Sequence, residues 1–262
     1  MIEKNRPLFT IITVNLNNAA GLQRTIDSLD IQTLTDWEHI IQDGGSADHS
    51  LRVLNHDKSP KRQFESTLDG GIYQGMNLAM LRATGHLVWF LNSGDVFFHI
   101  SVLQTVKESW ERFEWRWSRG GIIFDQNSLV GATKSMPEII ERRKVLKGTQ
   151  YYPHPSCIYE KSLLAEIGAY RPTFGIGADQ ELSLRAESVE PPHYIPKILT
   201  IFEPAGASGG YTPVQLELMF RRIRKESHEY FGGNVVLDAL SLIGRVFYRY
   251  AAILRKACTR WR

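Results

Sequence analysis

The stretch Glu65–Asp95, ESTLDGGIYQGMNLAMLRATGHLVWFLNSGD, determines how the rest of the chain is interpreted. Asp69 lies in a glycine-rich loop, the following run has the apolar spacing of a helix, and HLVWFL is typical of a buried strand. A buried strand that ends in a short polar turn presents a ligand site at the carboxyl edge of an open α/β sheet. Because Gly94 allows a sharp backbone turn, we expect the Asp95 carboxylate to point into a cleft.

Strands and helices alternate on both sides of this stretch. Pro7–Val14 and Trp37–Gln42 are predicted buried strands, with a helix at Ala19–Leu29 between them. Farther along, Gly121–Phe124 and Ser128–Ala132 have the pattern of a hairpin-like pair of strands. The alternation predicts an α/β fold with a mixed, mostly parallel sheet flanked by helices.

Composition narrows the class of protein. With 262 residues, 43% of them hydrophobic, the chain forms one domain or one domain with an appendage. A net charge of +3 gives no reason to expect nucleic acid as a partner. Cys157 and Cys258 lie far apart in no metal-binding spacing, which favours a reduced, cytoplasmic chain. We find no signal peptide and no apolar run of about 18 residues that would span a bilayer.

The character of the chain changes near residue 212. We therefore predict a main domain at residues 1–211 and a basic helical extension at residues 212–262. The last helix combines arginines, large apolar residues and Trp261, as interfacial membrane helices do. The alternative is that this helix packs on the domain or on a second copy of the chain, forming a homodimer.

Four segments in order carry a resemblance to a known family: TIITVNLN, DGGSADHS, LDGGIYQGMNLAM and FLNSGDVF. Together they resemble family 2 glycosyltransferases with the GT-A fold, in particular bacterial transferases of surface polysaccharide and glycolipid biosynthesis. The resemblance covers most of residues 7 to 210. It implies a metal-dependent, inverting transfer of one sugar from a nucleotide sugar to a hydroxyl of a saccharide acceptor. The QxxRW motif of processive synthases is absent, which favours one sugar per encounter.

Asp95 falls where the family has the last acid of its DxD-type metal motif. One carboxylate can hold Mn²⁺ or Mg²⁺ when water and phosphate supply the other ligands. Gly94 stands where many relatives have a second Asp. The ribose or second metal contact of that side chain is therefore missing or is supplied by Asn92 or Ser93. The alternative is that Asp95 caps the following helix.

The resemblance implies further donor contacts. Asp43 and Asp69 match acids that contact the base or ribose, and the alternative for both is a turn-forming role. Gly70 and Gln74 depart from the family pattern, which leaves the donor open among UDP-sugar, the favoured choice, GDP-sugar and dTDP-sugar. The other predicted donor-binding residues are Thr13, Asn15, Tyr73, Asn77, Asn92 and Ser93.

Asp179 follows a glycine-rich loop and begins a helix, where a carboxylate is favoured electrostatically. By resemblance it is the general base that deprotonates the acceptor, with Glu181 as its competitor and a helix cap as the alternative. His154 and Ser208 match positions that contact acceptor or phosphate, and His154 is otherwise a structural histidine.

Three functions follow from these observations. The favoured one is a glycosyltransferase that acts on a lipid-linked saccharide, located peripherally on the inner face of the cell membrane. A catalytically inactive module that binds nucleotide sugar or saccharide is the second. A nucleotidyltransferase is the third, although TVNLNNAAGLQRT lacks the glycine- and arginine-rich phosphate loop that it needs.

Overall fold

The computed structural model describes residues 6–124, 138–203 and 212–226. Within these residues, eight strands form one sheet, and α-helices lie between and after them. The strands are β1 (Phe9–Asn15), β2 (Trp37–Asp43), β3 (Arg62–Ser66), β4 (Leu87–Phe90), β5 (Val96–Phe97), β6 (Trp117–Phe124), β7 (Cys157–Glu160) and β8 (His193–Phe202). The helices are α1 (Ala19–Asp30), α2 (Ser50–His56), α3 (Ile72–Arg82), α4 (Val102–Phe113), α5 (Arg142–Leu146), α6 (Lys161–Ile167), α7 (Ala178–Val189) and α8 (Pro213–Glu226).

The sheet has the order β3-β2-β1-β4-β7-β6-β8-β5. The first four strands in this order are parallel, as the β-α alternation predicted. The other half is mixed: β7 runs antiparallel to β4 and β6, whereas β6 and β8 are parallel. The predicted α/β class with a mixed, mostly parallel sheet is therefore confirmed.

Both faces of the sheet are covered because successive side chains of a strand point to opposite faces. On β1, Ile12 and Val14 pack with α3, α6, α7 and α8. Phe9 and Ile11 point the other way and pack with α4 and the end of α1. A strand that is buried on both faces reads as a continuous apolar run, which explains why PLFTIITV is so strong a signal.

The strand near residue 121 does not pair as the predicted hairpin would. The strand there, β6, begins at Trp117 and pairs with β7 and β8, both far along the chain. Ser128–Ala132, the other half of the predicted pair, lies outside the described residues.

The first part of the predicted C-terminal extension forms α8. Phe220 and Ile223 of this helix are buried in the same core as α3 and α7. Glu217 and Arg224 form an ion pair at 2.9 Å, with both side chains 0% exposed. No helix in the described ranges is long and apolar enough to cross a membrane. Residues 227–262, which carry the predicted membrane-surface helix, are outside those ranges, so the predicted domain boundary stays a prediction.

Candidate functional site

The carboxyl ends of β1, β2 and β3 meet at one edge of the sheet. There Asn15, Asp43 and Ser66 stand side by side in register. The Asn15 amide donates a hydrogen bond to Oδ1 of Asp43 at 2.7 Å. The hydroxyl groups of Ser46 and Ser66 donate to the same carboxylate at 2.6 and 2.7 Å. The sheet thus brings two predicted donor-binding residues, Asn15 and Asp43, into direct contact.

These hydrogen bonds control the charge of Asp43. Burial raises the pKa of Asp43, but the bonds from Ser46, Ser66 and Asn15 outweigh this effect and leave the pKa below its ordinary value. Asp43 is therefore an anion at neutral pH and acts as a hydrogen-bond acceptor. The sequence patterns did not identify the two serines as site residues, although Ser66 is the last residue of β3 and lies at a strand end as Asp43 does.

Asp69 lies in the glycine-rich loop before α3. Its carboxylate packs against Gly44 and Gly75, where an added side chain would press on the carboxylate oxygens. Oδ1 of Asp69 accepts a hydrogen bond from the Gly71 amide at 2.9 Å. Because Gly44 directly follows Asp43, both predicted base- or ribose-contacting acids lie at the same edge of the sheet.

Thr13 and Asn77, two further predicted donor contacts, are bonded within the fold. The buried Thr13 hydroxyl donates to the Leu91 carbonyl at 2.7 Å and lies 2.8 Å from Nε2 of His39. The Asn77 side chain bonds both the amide and the carbonyl of Tyr170, at 3.0 and 2.9 Å. Each therefore has a structural role, and contact of either with a nucleotide stays a prediction.

The polar turn Asn92–Asp95 follows β4. The Ser93 hydroxyl donates to the Asn18 carbonyl at 3.2 Å, which holds the turn against the loop after β1. Asp95 is 2% exposed. It does not cap a helix, because β5 follows it directly and Ser101 is the N-cap of α4.

A second carboxylate, that of Glu203, lies beside this turn and was not predicted. Glu203 directly follows β8, and its backbone amide donates to Oδ1 of Asp95 at 2.9 Å. Burial, together with repulsion from Glu203, raises the pKa of Asp95 to about 8. Gly94 has φ of 104°, and a methyl group on it would collide with Oε2 of Glu203. An acid just after a predicted strand was the available signal for Glu203.

Asp179 lies in the first turn of α7, two residues after the N-cap Gly177. The backbone and side-chain amides of Gln180 donate to its carboxylate at 2.7 and 3.1 Å, and Tyr73 is a further hydrogen-bond partner. Burial raises the pKa of Asp179 to about 6, and the bonds from Gln180 and Tyr73 limit the rise. The carboxylate is ionised at neutral pH, yet has a higher proton affinity than an ordinary Asp, which suits a general base.

Tyr170 links His154 and Tyr73 in the surroundings of Asp179. The Tyr170 ring centroid lies 5.3 Å from that of Tyr73, and its hydroxyl shares a hydrogen bond of 3.0 Å with Nε2 of His154. Burial lowers the pKa of His154 to about 4, so its imidazole is neutral at pH 7. The predicted acceptor-side residues His154 and Asp179 thus lie on either side of the Tyr73–Tyr170 pair.

Glu181 has different surroundings from Asp179. Its carboxylate pairs with Arg171 at 3.1 Å and with Arg185 at 2.8 Å. The Glu181 carboxylate is therefore already engaged by two charged hydrogen-bond donors. Ser208, the other predicted phosphate or acceptor contact, lies outside the described residues.

The residues around Asp95 can be tested for their fit to a divalent cation. Within the described ranges, no group of three or more His, Cys, Asp and Glu side chains is placed to hold a metal ion. In the same ranges, Oδ2 of Asp95 and Oδ1 of Asn92 are buried without a hydrogen-bond partner. Mg²⁺ is commonly held by one or two carboxylates plus water and substrate phosphate. Two orphaned oxygen atoms in one turn fit such a site.

Comparisons with known proteins point to one family. The model of the family described as "Glycosyl transferase family 2" matches residues 10–168. An uncharacterized glycosyltransferase of Mycobacterium tuberculosis is 35% identical over 251 residues, which are 93% of each chain. A PGL/p-HBAD biosynthesis glycosyltransferase of Mycobacterium bovis is 27% identical over 187 residues, 70% of each chain.

Solved structures confirm the predicted GT-A fold. TarS 1–349 of S. aureus, in complex with UDP-GlcNAc, aligns with a TM-score of 0.67 at 20% identity. The alignment covers 83% of this chain and 66% of that one, and it spans 39% of a longer TarS chain. A mannosyltransferase from Pyrobaculum calidifontis, in complex with GDP-Man and Mn²⁺, aligns with a TM-score of 0.64 at 13% identity over 97% of this chain and 76% of that one.

Proposed function

The chain belongs to glycosyl transferase family 2 and is a glycosyltransferase, and from this premise we propose that it moves one sugar, with inversion, from a nucleotide sugar to an acceptor hydroxyl. The observation that carries the proposal is Asp179, a half-buried carboxylate whose pKa is raised to about 6. Direct displacement at the anomeric carbon forms no covalent sugar–enzyme intermediate. It therefore needs no protein nucleophile, and one carboxylate that accepts the proton of the acceptor is sufficient.

In this proposal the donor lies along the carboxyl edge of β1, β2 and β4. Asp43 and Asp69 accept hydrogen bonds from the base or ribose, and Asn15 orients Asp43. UDP-sugar is the favoured donor, with GDP-sugar and dTDP-sugar as alternatives. The two aligned solved structures contain UDP-GlcNAc and GDP-Man, which supports a nucleotide-sugar donor without deciding which one.

Asp95 would hold Mn²⁺ or Mg²⁺, with Asn92 close by. A divalent cation bound there supplies positive charge to the departing nucleoside diphosphate. The buried, unpartnered Oδ2 of Asp95 supports this assignment. The Mn²⁺ in the solved mannosyltransferase agrees with a cation in enzymes of this fold.

Asp179 takes the proton of the acceptor hydroxyl. As that proton moves to the carboxylate, the acceptor oxygen forms a bond to the anomeric carbon, and the bond from that carbon to the diphosphate oxygen breaks. The electron pair of the broken bond leaves with the diphosphate. The Tyr73 hydroxyl, which donates to the Ile176 carbonyl at 3.0 Å, is also a hydrogen-bond partner of the Asp179 carboxylate and helps to orient it.

We assign the acceptor to the class of lipid-linked saccharides used in cell-surface polysaccharide or glycolipid biosynthesis. Support comes from the Mycobacterium bovis relative, whose name refers to PGL/p-HBAD biosynthesis, and from the basic, aromatic C-terminal sequence. Such an enzyme acts peripherally on the inner face of the membrane.

This membrane location can be tested with vesicles. The full chain should bind vesicles that contain anionic phosphatidylglycerol, and should bind them less in high salt, whereas a chain ending at residue 226 should not bind. Vesicle binding by neither chain, with dimerisation of the full chain, would assign the tail to a homodimer instead.

The function is tested with two variants two residues apart. Asp179→Asn should keep nucleotide-sugar binding and lose turnover by about 10²–10⁴-fold, because a general base contributes that much. Turnover is measured as nucleoside diphosphate release from UDP-, GDP- and dTDP-sugars with saccharide and lipid-linked acceptors. Glu181→Gln should retain turnover. If only Glu181→Gln abolishes turnover, Glu181 is the base; binding of nucleotide sugar without turnover by the wild type would indicate the binding module.

A further inference from the structure

Two carboxylates meet where β4 and β8 end. The Glu203 amide donates to Asp95, which fixes the backbone of Glu203 against the Asn92–Asp95 turn. The Glu203 carboxylate then occupies the space beside Gly94 that a side chain at position 94 would fill. Residues 95 and 203 are distant in sequence, and they are brought together because β5 pairs with the end of β8.

The oxygen atoms of the two carboxyl groups are only partly satisfied by the described residues. Oε1 of Glu203 pairs with Arg24 at 2.6 Å, and Oε2 accepts a longer bond of 3.3 Å from the Asn18 amide. The Arg24 side chain is 48% exposed and that of Glu203 is 20% exposed, so this ion pair faces water and contributes little stability. Among the described residues, Oδ2 of Asp95 has no partner. The two neighbouring carboxyl groups therefore have one solvent-exposed cation, bound to Glu203, and one unpartnered oxygen atom, on Asp95.

We propose that Glu203 is a second protein ligand of the divalent cation held by Asp95. The inference rests on the proposed function, which places a cation at Asp95. The ligand set would be two carboxylates and the Asn92 amide oxygen, all hard oxygen donors, with the remaining positions left for water and donor phosphate. Arg24 would release Glu203 when the cation binds, and its exposed guanidinium can turn into water.

A cation ligand at Glu203 also gives a reason for the glycine at position 94. A side chain there would displace the Glu203 carboxylate from the turn. The position immediately before Asp95 is kept empty so that an acid from a different strand can approach. The alternative is that Glu203 only ties the end of β8 to α1 through Arg24.

The test separates these two roles by removing either partner of the ion pair. Mn²⁺ binding to the full chain is measured by calorimetry and by electron paramagnetic resonance of free Mn²⁺, alone and with UDP. Glu203→Gln should weaken Mn²⁺ binding by at least about 10-fold, because even outer partners of metal ligands contribute 10–100-fold. Arg24→Gln removes the same ion pair but leaves the carboxylate, so Mn²⁺ binding should stay unchanged or tighten.

Thermal unfolding in EDTA serves as the folding control, since both variants lose the same ion pair and should melt alike. If Glu203→Gln binds Mn²⁺ as the wild type does while Asp95→Asn does not, the inference is wrong and the cation at Asp95 stands. Equal weakening by Glu203→Gln and Arg24→Gln would assign Glu203 to the ion pair alone. Failure of the wild type to bind Mn²⁺ would overturn both the inference and the metal dependence of the proposed function.

Discussion

At the scale of single residues, surroundings give three predicted site acids different proton affinities. Four hydrogen bonds from Ser46, Ser66 and Asn15 keep the pKa of Asp43 low despite burial. At Asp95 and Asp179 the effect of burial outweighs the hydrogen bonds, and the pKa of both is raised. Asp43 is suited to accept hydrogen bonds permanently, whereas Asp179 is suited to gain and lose a proton.

The raised pKa of Asp179 predicts how turnover depends on pH. A base must be deprotonated to act, so kcat should fall as pH drops through about 6 and reach a plateau above it. Tyr73→Phe removes a hydrogen bond that favours the carboxylate, and should move this acid limb to higher pH. The measurement is kcat against pH for the two proteins. An acid limb near the ordinary Asp value, unmoved by Tyr73→Phe, would remove Asp179 from the base role.

Residue types at strand and helix ends indicated the acids Asp43, Asp95 and Asp179. They did not indicate Ser66, Glu203 or Tyr170. Asp43 and Ser66 end neighbouring parallel strands, so their contact follows from the sheet order, which local periodicity does not determine. Tyr170 lies in a loop held by Asn77, 93 residues away in sequence. Such long-range contacts arise from the whole packing arrangement, so no local pattern could indicate that Tyr170 joins the site.

At the scale of elements, the turn after β4 depends on a glycine for two reasons: its φ of 104° and the proximity of Glu203. Backbone strain alone costs about 1–3 kcal/mol at such a position, and Gly94→Ala should destabilise the protein by more than this amount. Gly71→Ala is the matched control, because Gly71 has φ of 115° with no atom near an added methyl group. Chemical denaturation of both variants measures the difference. Equal losses would mean that Glu203 is free to move away.

The strands that local patterns predicted best are β1, β2 and β4, which are parallel and buried on both faces. β5 has only two residues, and it pairs with β8 across about 100 positions of sequence, Val96 with Ile201. This short pairing is what places Glu203 beside Asp95. β6 was predicted as half of a hairpin for a related reason: its partners, β7 and β8, lie far along the chain, and a nearby apolar run suggested a local partner.

At the scale of the whole molecule, α8 is an integral part of the folded core. Its Glu217–Arg224 pair is fully buried. Arg224→Met removes a buried cation that pairs with Glu217, and should lower the free energy of unfolding by about 3–5 kcal/mol. The double variant Glu217→Leu with Arg224→Met should recover most of this loss, because both charges are then removed.

A control for this prediction lies on the same helix. Arg222 and Glu226 form an ion pair at 3.0 Å, with side chains 51% and 42% exposed. Arg222 also donates to the Thr173 carbonyl and lies over the Phe174 ring. Because water screens the ion pair, Arg222→Met should nevertheless cost clearly less than Arg224→Met. Urea denaturation of the three variants gives the comparison. Equal losses for Arg222→Met and Arg224→Met would contradict the buried position of α8.

The central claim is that a nucleotide sugar binds at the carboxyl edge of the sheet together with a cation at Asp95. Calorimetry with UDP, GDP, dTDP and CMP, each with and without Mn²⁺, tests it most directly. We predict that one nucleotide, UDP in the first place, binds in a Mn²⁺-dependent manner and that Asp95→Ala abolishes this binding. Absence of binding by every nucleotide in the presence of Mn²⁺, or undiminished binding by Asp95→Ala, would contradict it.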